Sequence, residues 1–372
     1  MRLLRRRAPL VSVVVPAYGV EEWLPECLTG LVAQTHREWE AIVVDDGSPD
    51  RSGEIAEGWA RDDHRIRVLH TANGGLGAAR NEGARQARGS YLAFLDSDDV
   101  LTPDAYTVLV TSLERSGSDF ATGSMRRLED GEQIEPRWMR RLHTPPLSGA
   151  RIGDRPEILG DVFAWNKLFR TTFWNAAGLS WPEGVRYEDQ PLTTRAFLAG
   201  TFDVLPEVVY HWRIRTDGTS ITQQRAAIDD VRDRWRTKQD SLAEVRAHGD
   251  PAVTEVFVDR VLAGDLWRYF LHLPDASEAW WTELRAGILE IWGDRSLVGS
   301  GLPPVHRLCG WLVEQGRRDD AAALMAYVAD HPAPLPRTTD PVTGEVLLEV
   351  PPEVLDASTV DPAALTVRPH EV

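Results

Sequence analysis

Three carboxylates stand within four positions at Asp96-Ser97-Asp98-Asp99, directly after the apolar run Tyr91 to Leu95. The run reads as a buried strand, and a packed core does not tolerate that much uncompensated negative charge, because each buried carboxylate must be paired or neutralised. A cation that takes oxygen ligands resolves the conflict. Mg²⁺ is typically held by one or two carboxylates plus substrate phosphates, and Mn²⁺ accepts similar ligands. The strand end therefore reads as a platform for a divalent metal and a diphosphate. The competing reading is a helix start, with Asp99 or Thr102 capping the helix that Pro103 opens. It accounts for one or two of the acids but not for Asp96. A second acidic pair, Glu188-Asp189, precedes the helical pattern of Leu192 to Leu198. Neighbouring carboxylates oppose each other's ionisation, which moves one of them toward the working range of a general base. A helix cap is the alternative for Asp189.

The elements that must position these groups alternate along the first 125 residues. Val11 to Val15, Ala41 to Val44, Ile66 to Leu69 and Tyr91 to Leu95 are apolar runs separated by helical spacings. Continuous apolar strands between helices imply a parallel sheet covered on both faces, with ligands beyond the carboxyl ends of the strands. Pro16-Ala17-Tyr18, Asp45-Asp46 and Asp96-Ser97-Asp98 all fall at such ends. Gly74, Gly75 and Gly77 allow close backbone approach before a helix of small residues, and helix N-termini favour phosphates. Beyond these, Glu129 to Pro156 reads as a polar, turn-rich insertion. Helix-like stretches are expected around Asn166-Lys167-Leu168-Phe169 and over Leu192 to Leu198. Residues 226–331 carry a succession of amphipathic helical spacings, as in Val231, Trp235 and Leu242. Residues 332–372, rich in proline and acids, are expected to be poorly ordered.

The chain has 372 residues, a net charge of -16 and a hydrophobic fraction of 42%. With a mean hydropathy of -0.30 it reads as a soluble globular protein. That charge argues against a nucleic-acid polymer as partner. No apolar stretch approaches the roughly 20 residues of a membrane helix. The arginine-rich start, Met1 to Arg7, lacks the apolar segment of a signal peptide and reads as a disordered basic end or as a weak peripheral contact with anionic lipid. The two cysteines, Cys27 and Cys309, lie far apart without metal spacing, which points to a reducing cytoplasm.

Four blocks in order carry a resemblance: Val13-Val14-Val15-Pro16-Ala17-Tyr18, Val43 to Asp50, Asn73 to Gly83, and Phe94 to Asp99. They resemble family-2 glycosyltransferases of the GT-A fold, a Rossmann-like, mostly parallel α/β sheet with helices on both faces. The resemblance covers about residues 9 to 220, so residues 9–225 are expected to be the catalytic domain, followed by the helical C-terminal region. It implies an inverting enzyme that uses a nucleotide-diphosphate sugar, UDP-linked, and a divalent metal, Mn²⁺ or Mg²⁺. It places a uracil or similar base against Asp45 and Asp46, bracketed by the backbone of Pro16, Ala17 and Tyr18, with Asn73, Gly74 and Ser97 also on the nucleotide sugar. Charge-assisted bonds to base N–H and ribose hydroxyls suit the two aspartates, and an Asp-Gly turn is the alternative reading. Asp98 is the expected metal ligand, with Asp96 bridging metal and ribose. Arg80 reaches the base or the diphosphate, or is structural. Asp189 resembles the family's base, with Glu188 beside it.

Asn166-Lys167-Leu168-Phe169, Tyr210-His211-Trp212-Arg213 and Gly218-Thr219-Ser220 are similar to a subgroup that includes wall teichoic acid glycosyltransferases. There His211, Arg213 and Arg215 offset diphosphate charge or meet the acceptor, and Ser220 lies on a mobile lid. The implied transfer is hexosyl or N-acetylhexosaminyl, to a hydroxyl of a cell-surface glycan or polyol-phosphate polymer, in the cytoplasm at the inner face of the plasma membrane. Two other classes compete. A nucleotidyltransferase typically carries a Gly-rich, basic phosphate loop after its first strand, where this chain has Pro16 to Glu22. A non-catalytic nucleotide-sugar scaffold does not need both acidic pairs.

Overall fold

The computed structural model describes residues 8–129, 131–215 and 226–371. The described residues fall into two compact units, 8–215 in the first and 226–371 in the second. Residue 225, where the sequence places the boundary, lies outside them, as do the arginine-rich start and Ser220.

In the first unit β1 (Val11–Ala17), α1 (Leu24–Val32), β2 (Trp39–Asp45), α2 (Ser52–Asp62), β3 (Ile66–His70), α3 (Leu76–Arg85) and β4 (Tyr91–Phe94) follow the expected alternation. β5 (Val100–Leu101), α4 (Ala105–Ser116), β6 (Phe120–Glu129), β7 (Glu132–Ile134), α5 (Arg137–Leu142), β8 (Leu147–Ala150), β9 (Lys167–Arg170), α6 (Thr171–Ala176), α7 (Asp189–Ala199) and β10 (Phe202–Arg213) complete it. The path through the sheet is β3-β2-β1-β4-β9-β6-β10-β5. It is parallel from β3 to β4 and between β6 and β10, while β9 runs antiparallel to both of its neighbours.

β1 shows why the first strands are mainly apolar. Val13 and Val15 pack with Leu24, Leu28 and Leu31 of α1. Val14 points to the other face, because side chains alternate along a strand. There Gly83 of α3 lies so close that a Cβ would come within 2.3 Å of the Val14 side chain. Both faces are covered, and the one polar side chain of β1, Ser12, is buried with its hydrogen bonds made, donating to Glu40 Oε1 at 2.7 Å and accepting from Gly89 N at 2.8 Å. The stretch Lys167 to Phe169, expected as helical, is instead β9. Four residues are too few to display a period. The tertiary structure decides, by filling the gap between β4 and β6 and stacking Phe169 on Phe120 at 5.4 Å between centroids.

The second unit opens with α8 (Ile228–His248), α9 (Pro251–Val256), a π-helical segment at Phe257–Leu262, α10 (Trp267–Phe270), α11 (Glu278–Trp292), α12 (Pro304–Glu314) and α13 (Arg318–Asp330). Gly287 lets α11 press on Trp235 of α8, where a Cβ would sit 2.3 Å from the indole. The expectation of a poorly ordered tail is corrected. Residues 332–371 hold β11 (Arg337–Thr339), β12 (Val346–Leu348), α14 (Pro362–Leu365) and β13 (Thr366–Val367), and the three strands form a small sheet. Leu348, Val350, Leu355, Val360 and Leu365 are buried at irregular spacing, which leaves no periodic signal in the sequence. Buried Arg307 of α12 holds this segment through Thr366 O at 2.9 Å and Glu371 Oε2 at 2.8 Å. Among the described residues no helix is long and apolar enough to cross a membrane.

Candidate active site

The carboxyl ends of β1, β2 and β4 lie side by side, with Ala17 in register with Asp45 and Leu95 N donating to Val14 O at 3.0 Å. The three expected loops therefore share one edge of the sheet. Pro16 and Ala17 are buried and Tyr18 is 53% exposed. Asp45 accepts from Ser48 N at 3.1 Å and pairs with His70 Nδ1 at 2.9 Å. Desolvation works to raise its pKa, but these partners win and hold it below the usual carboxylate range. His70 moves the other way, raised by Asp45 and then by Glu57. Asp46 turns inward and shapes the glycine loop, accepting from Gly74 N and Gly75 N, both at 2.9 Å, and from Thr71 Oγ1 at 3.2 Å. Gly75 has φ +83, in the left-handed region that glycine enters freely. Asn73 and Gly74 are exposed on this loop.

Arg80, one turn into α3, joins the two acidic pairs. It is 1% exposed, and its guanidinium donates to Asp96 Oδ1 at 2.7 Å, Glu188 Oε1 at 2.6 Å and Asp189 Oδ1 at 3.0 Å. Charge-assisted bonds of this geometry are the strong class. Burial opposes the Arg80 charge, but Asp96, Asp189 and Glu188 outweigh it and hold the guanidinium firmly protonated. Desolvation raises both Glu188 and Asp189 above the usual carboxylate range. Arg80 pulls each back, and the charges of Glu188 and Asp96 push Asp189 up further. The Asp189 carboxyl is thus shifted upward from a free carboxylate, the direction that favours a general base.

The loop ahead of this pair is clamped to α3. Asn81 donates to Trp181 O at 3.0 Å and accepts from Trp181 N at 2.9 Å, and the Trp181 ring lies 4.3 Å from the Arg80 guanidinium. Tyr187, the residue before Glu188, has φ 63. For a non-glycine residue that conformation costs about 1–3 kcal/mol, and such strain concentrates at functional sites. Asn81, Trp181 and Tyr187 were not picked out from the sequence. The one available signal was that Asn81 lies in the same block as Arg80.

Among the strand-end acids Asp99 is structural. It is 2% exposed and accepts from Tyr210 Oη at 2.8 Å and Arg213 N at 2.7 Å. Its pKa is raised well above normal by burial and by Asp98 and Asp96. The helix-cap alternative for Asp99 fails, since α4 begins after Asp104. Asp98 pairs with Arg215 at 2.7 Å, yet burial still raises it. Arg213 donates to Asp98 O at 2.8 Å and to Glu26 Oε2 at 2.5 Å. Arg213 and Arg215 are thus brought to the acids. His211, half-buried on β10, is not, and burial followed by Arg126 depresses its pKa. Ser97 is buried. Asp96 and Asp98 keep side chains 24% and 25% exposed, each with one oxygen outside these pairs. Two carboxylates open to incoming phosphates suit Mg²⁺ or Mn²⁺. Among the described residues no group of three His, Cys, Asp or Glu side chains forms a metal cage.

Residues 12–174 match the family model described as glycosyl transferase family 2. The uncharacterized glycosyltransferase EpsJ of Bacillus subtilis is 36% identical over 236 residues, covering 60% of this chain and 66% of that protein. Glycosyltransferase GlyA of Streptococcus pneumoniae is 38% identical over 219 residues, which are 56% of this chain but 31% of its own length. The chain thus spans between about a third and two thirds of these relatives. Among solved structures, S. aureus TarS 1-349 in complex with UDP-GlcNAc superposes with a TM-score of 0.69 at 21% identity, covering 91% of this chain and 96% of that one. The α/β architecture with its helical C-terminal region is therefore that of GT-A structures. With the strand-end acids, the glycine loop and the Glu188-Asp189 pair in one cluster, the first unit of this chain belongs to glycosyl transferase family 2.

Proposed function

We propose that the first unit transfers a sugar from a UDP-linked donor to a hydroxyl of a cell-surface glycan or polymer precursor, with inversion at the anomeric carbon. The observation that carries this reading is the Arg80 bridge. One buried guanidinium ties the acid expected at the metal and ribose, Asp96, to the acids expected at the acceptor, Glu188 and Asp189. Donor and base are thereby held in one frame, which is what a single displacement requires. Asp189 Oδ1 is bonded to Arg80, leaving Oδ2 to take the acceptor proton. As that proton moves, the acceptor oxygen bonds to the anomeric carbon and the bond to the diphosphate oxygen breaks.

Asp96 and Asp98 would hold Mn²⁺ or Mg²⁺ together with the donor phosphates. When bound, the metal offsets the negative charge that grows on the departing diphosphate. Asp45 and the exposed Tyr18 are the residues that would meet the base and ribose, while Asp46 keeps the glycine loop in shape. The UDP-GlcNAc in the TarS structure supports testing that donor first, and the Mn²⁺ with GDP-Man in a Pyrobaculum calidifontis mannosyltransferase structure supports a metal. Both cysteines are free thiols, in keeping with a cytoplasmic enzyme. The test is donor hydrolysis across a panel of UDP- and GDP-sugars, with and without Mn²⁺. Metal-dependent release of UDP from one sugar nucleotide is expected. Binding without turnover would favour a scaffold, and release of pyrophosphate in the presence of a sugar phosphate and UTP would favour a nucleotidyltransferase.

A further inference from the structure

Phe163, Trp165, Tyr210 and Trp212 form a continuous run of rings. Trp165 stacks on Tyr210 with centroids 4.1 Å apart, Phe163 stacks on Trp165 at 4.6 Å, and Trp212 lies 5.9 Å from Phe163. Trp138 of α5 continues the run, 6.0 Å from Phe163. Trp165 and Tyr210 are buried, while Phe163, Trp212 and Trp138 keep part of their surface open. We propose that this face is the acceptor subsite and that it stacks a saccharide ring bearing an acidic substituent, with Arg127 receiving the acid. The inference rests on the transfer reading above and names the acceptor side of the same site.

The rings are tied to the chemistry at both ends. Tyr210 Oη donates to Asp99, inside the metal platform. On the other side, the single hydroxyl proton of Thr193 is shared between Asp189 O at 2.8 Å and Val162 O at 3.2 Å, which brings the segment bearing Phe163 against the first turn of α7. That segment is also held from beneath. Lys167, fully buried, donates to Asp161 O at 2.9 Å and Phe163 O at 2.5 Å and pairs with the buried Asp161 carboxylate at 2.9 Å. Thr122 and Asn166 satisfy the remaining Asp161 oxygens. A buried ion pair adds little net stability, but here every partner is present and the ring-bearing loop is preorganised. This gives the Asn166-Lys167 motif a physical role.

The charge of the face fits an anion. Arg127 lies in register with Trp212, and its guanidinium sits 5.5 Å over the Trp212 ring, while Arg126 and His211 alternate to the other face of the sheet. Among the described residues Arg127 has no carboxylate partner, in a chain whose net charge is -16. The acids of this hairpin, Glu129 and Glu132, pair at its tip, two residues beyond Arg127. A pyranose presents a flat face of C–H groups that buries well on an aromatic ring, and its rim carries the hydroxyl that Asp189 would deprotonate.

The test is calorimetric titration, in the presence of UDP and Mn²⁺, of three short probes: trigalacturonate, a glycerol phosphate trimer and cellotriose. An anionic probe is expected to bind about tenfold more tightly than cellotriose, and Trp212→Ala to weaken it by about tenfold, the usual effect of removing an aromatic anchor. Trp212→Phe should keep most of the affinity, Arg127→Gln should lower anionic binding alone, and UDP affinity should be unchanged in all three variants. Tighter binding of trigalacturonate than of the ring-free glycerol phosphate trimer is expected, and the reverse order overturns the stacked saccharide. Equal binding of cellotriose overturns the acidic class. Unchanged affinity in Trp212→Ala, or no probe binding while UDP binds, overturns the platform. Failure of UDP to bind the unaltered protein would instead overturn the donor reading, since the probe titrations need no turnover.

Discussion

Arg80 carries one positive charge and faces three carboxylates, so the site is short of positive charge by design of its contacts. Removing it should show on stability first. Arg80→Met leaves Asp96, Glu188 and Asp189 facing one another, and breaking a buried pair in this way costs about 3–5 kcal/mol. The loss, measured by urea unfolding at pH 7, should shrink at pH 5. Glu188 and Asp189 are already raised, and without Arg80 they rise further and take up protons earlier. A loss that is the same at both pH values would contradict the bridge. The same shift sets the pH profile. Asp189 must be ionised to accept a proton, so kcat/KM should fall on the acid side of a midpoint lying above the ordinary carboxylate range. A midpoint near 4, where a free carboxylate titrates, would contradict the assignment. The acids themselves were legible in the sequence, because three carboxylates at a strand end have few structural explanations. Their connection was not. Arg80 and Glu188 are 108 positions apart, and nothing local in either segment announces the other.

At the scale of elements, α3 does two jobs through small residues. Gly83 seats it on β1, and Gly77 lets it touch the loop that carries Glu188 and Asp189, where a Cβ would lie 2.1 Å from Pro182 O. Gly77→Ala should push that loop outward. Overpacking of this kind costs about 1–3 kcal/mol. The larger effect should be on turnover, because a displacement near 1 Å at reacting groups costs about a hundredfold. Steady-state kinetics beside a thermal melt separates the two, and normal kcat in a folded variant would mean the contact does not position Asp189. The elements were legible where the signal is local. β1 to β4 show as apolar runs and α1 as a helical spacing. β9 was misread, since Lys167-Leu168-Phe169-Arg170 is too short for a period and its partners, β4 and β6, come from far along the chain. Asp46 is expected either at the nucleotide or in an Asp-Gly turn, and nothing local to it announces that its oxygens organise the Gly74-Gly75 loop, 28 and 29 positions away.

For the whole molecule, the tail is part of the second unit, and its removal has a defined consequence. A chain ending at residue 331 leaves Arg307, 1% exposed, without Glu371 and Thr366. An uncompensated buried guanidinium costs about 3–5 kcal/mol, so this chain should melt well below the full-length protein. Equal melting temperatures would show that the tail is dispensable. The central claim is that the first unit transfers sugar with Asp189 as base, and one variant tests it most directly. Asp189→Asn keeps the shape of the side chain but cannot take the acceptor proton. UDP affinity by calorimetry should stay within about twofold of the unaltered protein, because the expected nucleotide contacts lie on other loops. Transfer measured under the same conditions should fall by roughly two to four decades, the range for losing a general base. Transfer within a few fold of normal, with UDP binding intact, would contradict the account and reduce Asp189 to the first residue of a helix.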